Sequence, residues 1–348
     1  MNPYILAFLL FRFGLGTTLT LASSHSLLAC MGLEMNTLAL IALMAQHHLP
    51  RPVVATTKFL LTQATAAALL LFASTPQAWL TRDWHYRHMS HPMPTTMITL
   101  ALGLKFGMVP IHSSLPDVLE GFVLTTGLSF SSWHTLAPFA LFVLLLPNNA
   151  TVLMLLGDSS TLIAGWGGLK QSQLRTMLAY SSMALVGCMC LIIQLSPSVT
   201  LMTLFTYVVM TISSFVVFKI AKATNVYSLA LSWTKTPYIA SFAPFVLLSL
   251  GDLPPLTRLI PNWVLLQDLT NQKLAVLATL AALTALLSVY LYLRLSHAMS
   301  LTMYANNVVG TSPCRFDIPH LTLPLGTSTS PTMLLLALTP AITRLLTL

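Results

Sequence analysis

The chain alternates long apolar runs with short polar links, and the run lengths set the first reading. About twenty apolar residues cross a bilayer as a helix. Such runs fall at roughly 3–22, 27–45, 59–80, 95–113, 122–146, 150–168, 177–195, 199–218, 237–255, 274–295 and 325–346. The pattern predicts an all-α polytopic membrane protein of about eleven transmembrane helices, with links too short to hold a soluble domain. The longest link, 296–324, is polar and contains proline, and reads as a surface crossover.

Two of the runs are interrupted. The fourth leads into "LKFGMVPIHSSLPD" (104–117), where the ring of Pro110 displaces the hydrogen bond to the Phe106 carbonyl. The ninth leads into "SLGDLPPLTRLIPNW" (249–263), where Pro254 and Pro255 free the carbonyls of Leu250 and Gly251. Freed backbone groups at membrane depth are tolerated only against protein or water. The breaks lie five spans apart, and an odd repeat re-enters the membrane from the opposite side. That is the pattern of two inverted five-helix repeats with a broken helix in each. The expected division is a single membrane domain over 1–348. Its first repeat is at about 1–146, its second at about 150–295, and the crossover and last helix at 296–348.

Composition agrees with burial in lipid. Of the 348 residues 55% are hydrophobic and 7% charged, against roughly 25% charged in soluble domains. The net charge of +8 comes from sixteen Lys and Arg against eight Asp and Glu. They are scattered singly between apolar runs, whereas a nucleic-acid binder gathers them on one face. Membrane lipid is the expected surrounding, and nucleic acid is not an expected partner. Nine of the link cations fall on the amino-terminal side and five, Arg258 among them, on the other. That places the amino terminus in the cytosol or its mitochondrial equivalent, the matrix. The first run lacks a basic leader and a small-residue cleavage site, so it reads as retained. Cys30, Cys188, Cys190 and Cys314 form no CxxC, and His85, His88 and His91 lie on a polar link; no metal site is expected from either set.

Charges inside spans are costly and are functional candidates by default. Glu34 is the acidic residue well inside the early spans, and Lys105 is the clearest basic one. His112 follows Lys105 by seven residues, on the same face of a continuous helix. At ~4 Å and an effective dielectric of ~20, a Glu–Lys pair attracts by about 4 kcal/mol. Making or breaking such a pair can move a proton on or off the lysine near neutral pH. The same pair can also serve only to fix helix register. Arg12 can snorkel along its stem, and Asp158 reads as structural.

The stretches "GLEMNTLA", "KFGMVPIH…LPD", "GWGGLKQSQLR…LAYSS", "LLSLGDLPPLT" and "YLYLRL" carry a resemblance over essentially the full length. The chain resembles the mitochondrial NADH dehydrogenase subunit 2 family in its vertebrate form, antiporter-like membrane subunits of respiratory complex I. The resemblance implies two inverted repeats, a mitochondrial inner-membrane location and a matrix amino terminus. It implies proton transfer by Glu34, Lys105 and His112, driven by electron transfer in other subunits. The whole complex would use NADH, FMN, iron–sulfur clusters and ubiquinone, with no cofactor or metal held by this chain. Its neighbours would be antiporter-like subunit 4, the small subunit 4L and accessory subunits.

The resemblance is uneven. A family lysine falls at Thr135, with His134 beside it as the one residue able to substitute. The lysine of the second broken helix falls at Asn262, and a histidine falls at Leu185. Glycines of the family's "GGLPPLTGF" fall at Asp252 and Arg258, tryptophans at Ser26, Cys30, Ser114 and Cys188, and a glutamate at Asp117. The reading is a proton-translocating subunit. Its alternatives are a structural scaffold with impaired proton conduction and a stand-alone cation/proton antiporter.

Overall fold

A computed structural model describes residues 3–45, 50–86, 91–109, 114–145, 150–234, 237–254, 256–302 and 326–332. The chain divides into two units, Met1–Ser160 and Thr161–Leu348. Among the described residues every element is helical, apart from one isolated backbone bridge in each unit. The first unit contains α1 (Pro3–Ala22), α2 (Ser26–Met44), α3 (Pro50–Thr81), α4 (Pro92–Lys105), α5 (Ser114–Gly121) and α6 (Leu124–Ser129). A π-helical turn, Phe130–His134, joins α6 to α7 (Leu136–Leu145). Helix α8 (Ala150–Leu169) contains the boundary. The second unit continues with α9 (Leu174–Ile192), α10 (Pro197–Ala221), α11 (Val226–Ala230), α12 (Pro237–Leu250), α13 (Leu259–Asn271) and α14 (Ala275–Leu301).

Eight helices among the described residues are long and apolar enough to cross a membrane. Helix α3 starts nine residues before the expected 59, because Pro50 and Pro52 occupy a first turn, where a missing N–H costs nothing. Helix α13 was hidden in the sequence by the polar "QDLTN" at its end. Of the run expected at 325–346, residues 326–332 are helical and the remainder lies outside the described residues, as does 303–324.

Lipid supplies no hydrophobic force between helices, so close packing must hold them together. Helices α1 and α2 meet at two glycines: a Cβ on Gly16 would lie 2.9 Å from the Gly32 carbonyl oxygen, and one on Gly32 3.0 Å from that of Gly16. Hydroxyls along these helices return to carbonyls of their own helix, as Thr17 does to Gly14 and Thr20 to Thr17. They therefore cost little at depth.

The links are tied in a pattern that recurs. In the first unit, Ser26 N–H donates to the Trp84 carbonyl at 2.9 Å and Tyr86 N–H to that of Ser24 at 3.4 Å, pairing the α1–α2 link with the one after α3. His25 caps α2 through Nδ1 and stacks on Trp84. In the second unit, Leu174 N–H donates to the Thr224 carbonyl at 3.1 Å and Val226 N–H to that of Ser172 at 3.2 Å, pairing the α8–α9 link with the one after α10.

The first break has a backbone cause that differs from the expected one. Helix α4 ends at Lys105, not near 113, because Gly107 sits at φ 70° in the left-handed region. Gly107 N–H donates to Leu104 at 3.0 Å and Met108 N–H to Gly103 at 2.9 Å, closing a Schellman motif. A Cβ at Gly107 would also meet Leu115 Cδ1 at 2.9 Å. Pro110, to which the sequence assigned the break, lies outside the described residues. The second break is built alike: α12 ends at Leu250, and Asp252, two residues on, takes φ 57°. Aspartate is among the few residues that visit this region readily. Pro255 lies outside the described residues.

Candidate functional site

Ending α4 at Lys105 puts the lysine on the last turn of a helix, where the partial negative charge of the carboxyl end favours an ammonium. The Lys105 carbonyl freed by the break accepts Gln63 Nε2 of α3 at 3.1 Å. The Lys105 side chain is wholly buried, and its Nζ lies 3.9 Å from Glu34 Oε1, whose side chain keeps 35% exposure. Neither atom has a hydrogen-bond partner. At 3.9 Å the two form an ion pair without a hydrogen bond, and the geometry suits a bridging water. Glu34 is two turns beyond Ser26 and one beyond Cys30 on α2. The Cys30 thiol lies within electrostatic range of both Lys105 and Glu34.

His134 ends the π-helical turn, and such turns are frequent at functional sites because the extra residue re-aims a side chain. The ring is 3% exposed, so it faces the interior of its unit. Phe130 stacks on it at 5.4 Å and Phe59 meets it edge-on at 5.6 Å. Both ring nitrogens are buried without a hydrogen-bond partner. Lys105 is within its electrostatic range. The neighbouring Thr135 hydroxyl donates back to the Ser132 carbonyl at 2.9 Å, so its hydrogen is already committed to its own helix. His112 and His88 lie outside the described residues. Asp117 of α5 pairs with Lys58 of α3 at 2.6 Å, both about half exposed. Arg12 is partly exposed on α1, and Asp158 is buried in α8.

The second break carries a charged cluster that sequence reasoning missed. Asp252 Oδ1 lies 2.8 Å from Arg258 Nε, and both side chains are nearly fully buried. Arg258 Nη1 also donates to the carbonyl of Leu250, the group freed where α12 ends. Asn262 Nδ2 of α13 donates to Asp252 Oδ2 at 2.7 Å. Arg258 therefore does not belong among the water-facing link cations; without it the charge asymmetry is nine against four. The two residues had read as unrelated departures from glycine. The available signal was two opposite charges six residues apart in one motif.

Among the described residues no three His, Cys, Asp or Glu side chains gather as they would to hold a metal.

Comparison with known proteins follows the same lines. Residues 23–288 match the family described as NADH:quinone oxidoreductase/Mrp antiporter, transmembrane, and residues 289–343 match the NADH dehydrogenase subunit 2 C-terminus. The chain is 57% identical to NADH-ubiquinone oxidoreductase chain 2 of Tetraodon nigroviridis, over 99% of both chains. It is 55% identical to the same chain of Salmo salar, over 100% of both. A chain of respiratory complex I from Thermus thermophilus with bound aureothin superposes at a TM-score of 0.86, with 24% identity, covering 97% of this chain and 79% of that one. A chain of the Mrp complex from Dietzia superposes at 0.80, with 14% identity, over 97% and 76%. These structural likenesses carry the fold alone.

Proposed function

This chain belongs to the family of NADH-ubiquinone oxidoreductase chain 2, and on that premise we propose that Glu34 and Lys105 carry its proton transfer. As a member it is a multi-pass, antiporter-like subunit of respiratory complex I in the mitochondrial inner membrane, where NADH oxidation by ubiquinone is coupled to proton translocation. One observation carries the assignment to residues: a wholly buried lysine 3.9 Å from a carboxylate, with no hydrogen bond to Nζ. A lysine held only for helix register would be expected to be saturated with hydrogen bonds. One left short can gain or lose a proton as the carboxylate approaches or a water enters.

Glu34, at 35% exposure, is the member of the pair that reaches the surface of its unit and would take up the proton there. Lys105 passes the proton inward, and His134, facing the same interior, receives it through intervening water. His112 would continue the path beyond α4. NADH, FMN, iron–sulfur and ubiquinone chemistry would reside on other subunits. The neighbours would include antiporter-like subunit 4, the small subunit 4L and accessory subunits.

The finer architecture belongs to the same reading. Five helical crossings per repeat are supported by the matching order: three helices with their links bridged, a fourth that breaks at a left-handed residue, then a fifth. This gives α1, α2, α3, α4–α5 and α6–α7, then α8, α9, α10, α12–α13 and α14; the eleventh apolar run, 325–346, lies mostly outside the described residues. An odd number makes the repeats inverted. The cation asymmetry supports a matrix amino terminus.

Lys105→Met tests the assignment, since it removes the titrating group at similar bulk. The complex should assemble and oxidise NADH, while fewer protons move per NADH in sealed vesicles. Undiminished proton yield in the assembled mutant would remove Lys105 from the path.

A further inference from the structure

The second unit lacks a lysine at Asn262, yet its broken helix holds a charged cluster with room for water around it. Arg258 and Asn262 together line two small cavities. One, of about 20 Å³, is completed by Thr161, Thr284 and Ser288. The other, of about 10 Å³, is completed by Thr203 and Thr206. A water needs roughly 10–15 Å³ and two to four polar partners, so each is sized for at most one molecule and suitably lined. Asp252 and Asn262 also border a wider, mostly apolar groove of about 700 Å³ between α13 and α14, lined by Trp263, Leu266, Leu286 and Val289. Asp252 borders the groove itself, and its partners Asn262 and Ser288 line the 20 Å³ cavity.

We propose that Asp252 is a second proton-holding site, with Arg258 as its fixed counter-charge and Asn262 and Ser288 as the groups that accommodate its two protonation states. This extends the reading of the first unit to a second carrier.

Chemical identity selects the carrier. Arginine does not deprotonate in proteins, and neither asparagine nor a serine hydroxyl exchanges a proton near neutral pH. The other titratable groups facing the cluster, Tyr292 of α14 and Cys188 of α9, stay protonated at neutral pH in the ordinary case. Only the carboxylate can cycle. In the charged state Asp252 faces Arg258 Nε at 2.8 Å and accepts from Asn262 at 2.7 Å.

The neutral state is provided for as well. Ser288 Oγ lies 3.4 Å from Asp252 Oδ2, while its own hydrogen is committed to the Ala285 carbonyl at 2.7 Å. Its oxygen is therefore placed to accept from a protonated Oδ2. Arg258 would meanwhile keep its bond to the Leu250 carbonyl. The step balances simply. A hydronium in the cavity that Asn262 and Ser288 line gives a proton to Oδ2 and becomes water; Oδ2–H later gives the proton up to a water and the carboxylate is restored.

Complex containing Asp252→Asn, reconstituted in sealed vesicles, tests this with two readouts. The expected results are a lower proton yield per NADH and loss of a carboxyl C=O band, sensitive to deuterated water, from the reduced-minus-oxidised infrared spectrum. Asp252→Glu should retain the band. Should Asp252→Asn fail to assemble because Arg258 is orphaned, the double change Asp252→Gly with Arg258→Gly removes both charges and should show the same two losses. Retention of either the band or the full yield overturns the proposal, and so does failure of the double variant to assemble, since the pair would then be structural. Lys105→Met distinguishes this from the reading it extends. Yield lost there but intact in Asp252→Asn leaves the first-unit assignment standing and removes this one, and the reverse pattern does the opposite.

Discussion

Replacing His134 by phenylalanine separates packing from chemistry at a single position. The ring already sits among Phe130 and Phe59, and its two nitrogens are buried without hydrogen bonds. Removing unpaired buried polar atoms is neutral or stabilising when the shape is kept. His134→Phe should therefore assemble at least as well as the parent complex in a thermal inactivation series. Its proton yield per NADH should nevertheless fall, because the residue receiving the proton from Lys105 has gone. A variant equal to the parent in yield would leave His134 as packing alone. At this scale the sequence was partly legible. Glu34 and Lys105 stood out because a charge in an apolar run is costly, whereas Gln63 and Cys30 look like ordinary span residues and matter only through their nearness to Lys105 in space. The Asp252–Arg258 pair was half legible for a related reason: the opposite charges six residues apart stand in the sequence, but which way two side chains turn across a left-handed break is a tertiary fact.

Helices that merely had to be long and apolar were placed well. Expectations of 3–22, 27–45 and 150–168 meet α1, α2 and α8 within a residue or so. Apolar run length is a local property, and lipid enforces it. Breaks were located less well, because proline is conspicuous in a sequence while a glycine that must adopt positive φ is not. Gly107→Ala exposes the difference. Left-handed backbone costs an alanine about 1–2 kcal/mol, and the added Cβ would press on Leu115. The substitution should lower the temperature of half-inactivation of the assembled complex, and should disturb proton yield more than NADH oxidation because Lys105 sits two residues away. Gly16→Val makes the contrasting case. It forces α1 from α2, because a Cβ there would lie 2.9 Å from the Gly32 carbonyl oxygen, with overpacking costs of about 1–3 kcal/mol. Reduced assembly, without a selective effect on proton yield, is the expected outcome.

For the whole molecule, apolar side chains on the outside dominate behaviour. Phe8 and Phe11 on α1, Phe72 and Trp79 on α3 and Tyr290 on α14 are all more than half exposed. Such a surface is stable against acyl chains or the helices of neighbouring subunits, and not against water. The subunit should accordingly purify within the membrane complex; recovery of an active, stable monomer in detergent would favour an independent antiporter. If Glu34 and Lys105 act as one unit in moving protons, a double-mutant cycle on proton yield per NADH must show it. Leaving a buried charge unpaired costs about 3–5 kcal/mol, so Glu34→Gln alone should impair both assembly and yield. Groups that work together are strongly non-additive. Glu34→Gln combined with Lys105→Met should therefore assemble better than Glu34→Gln and lose no more proton yield than Lys105→Met alone. Losses that simply multiply, or a double mutant that pumps like the parent, would contradict it.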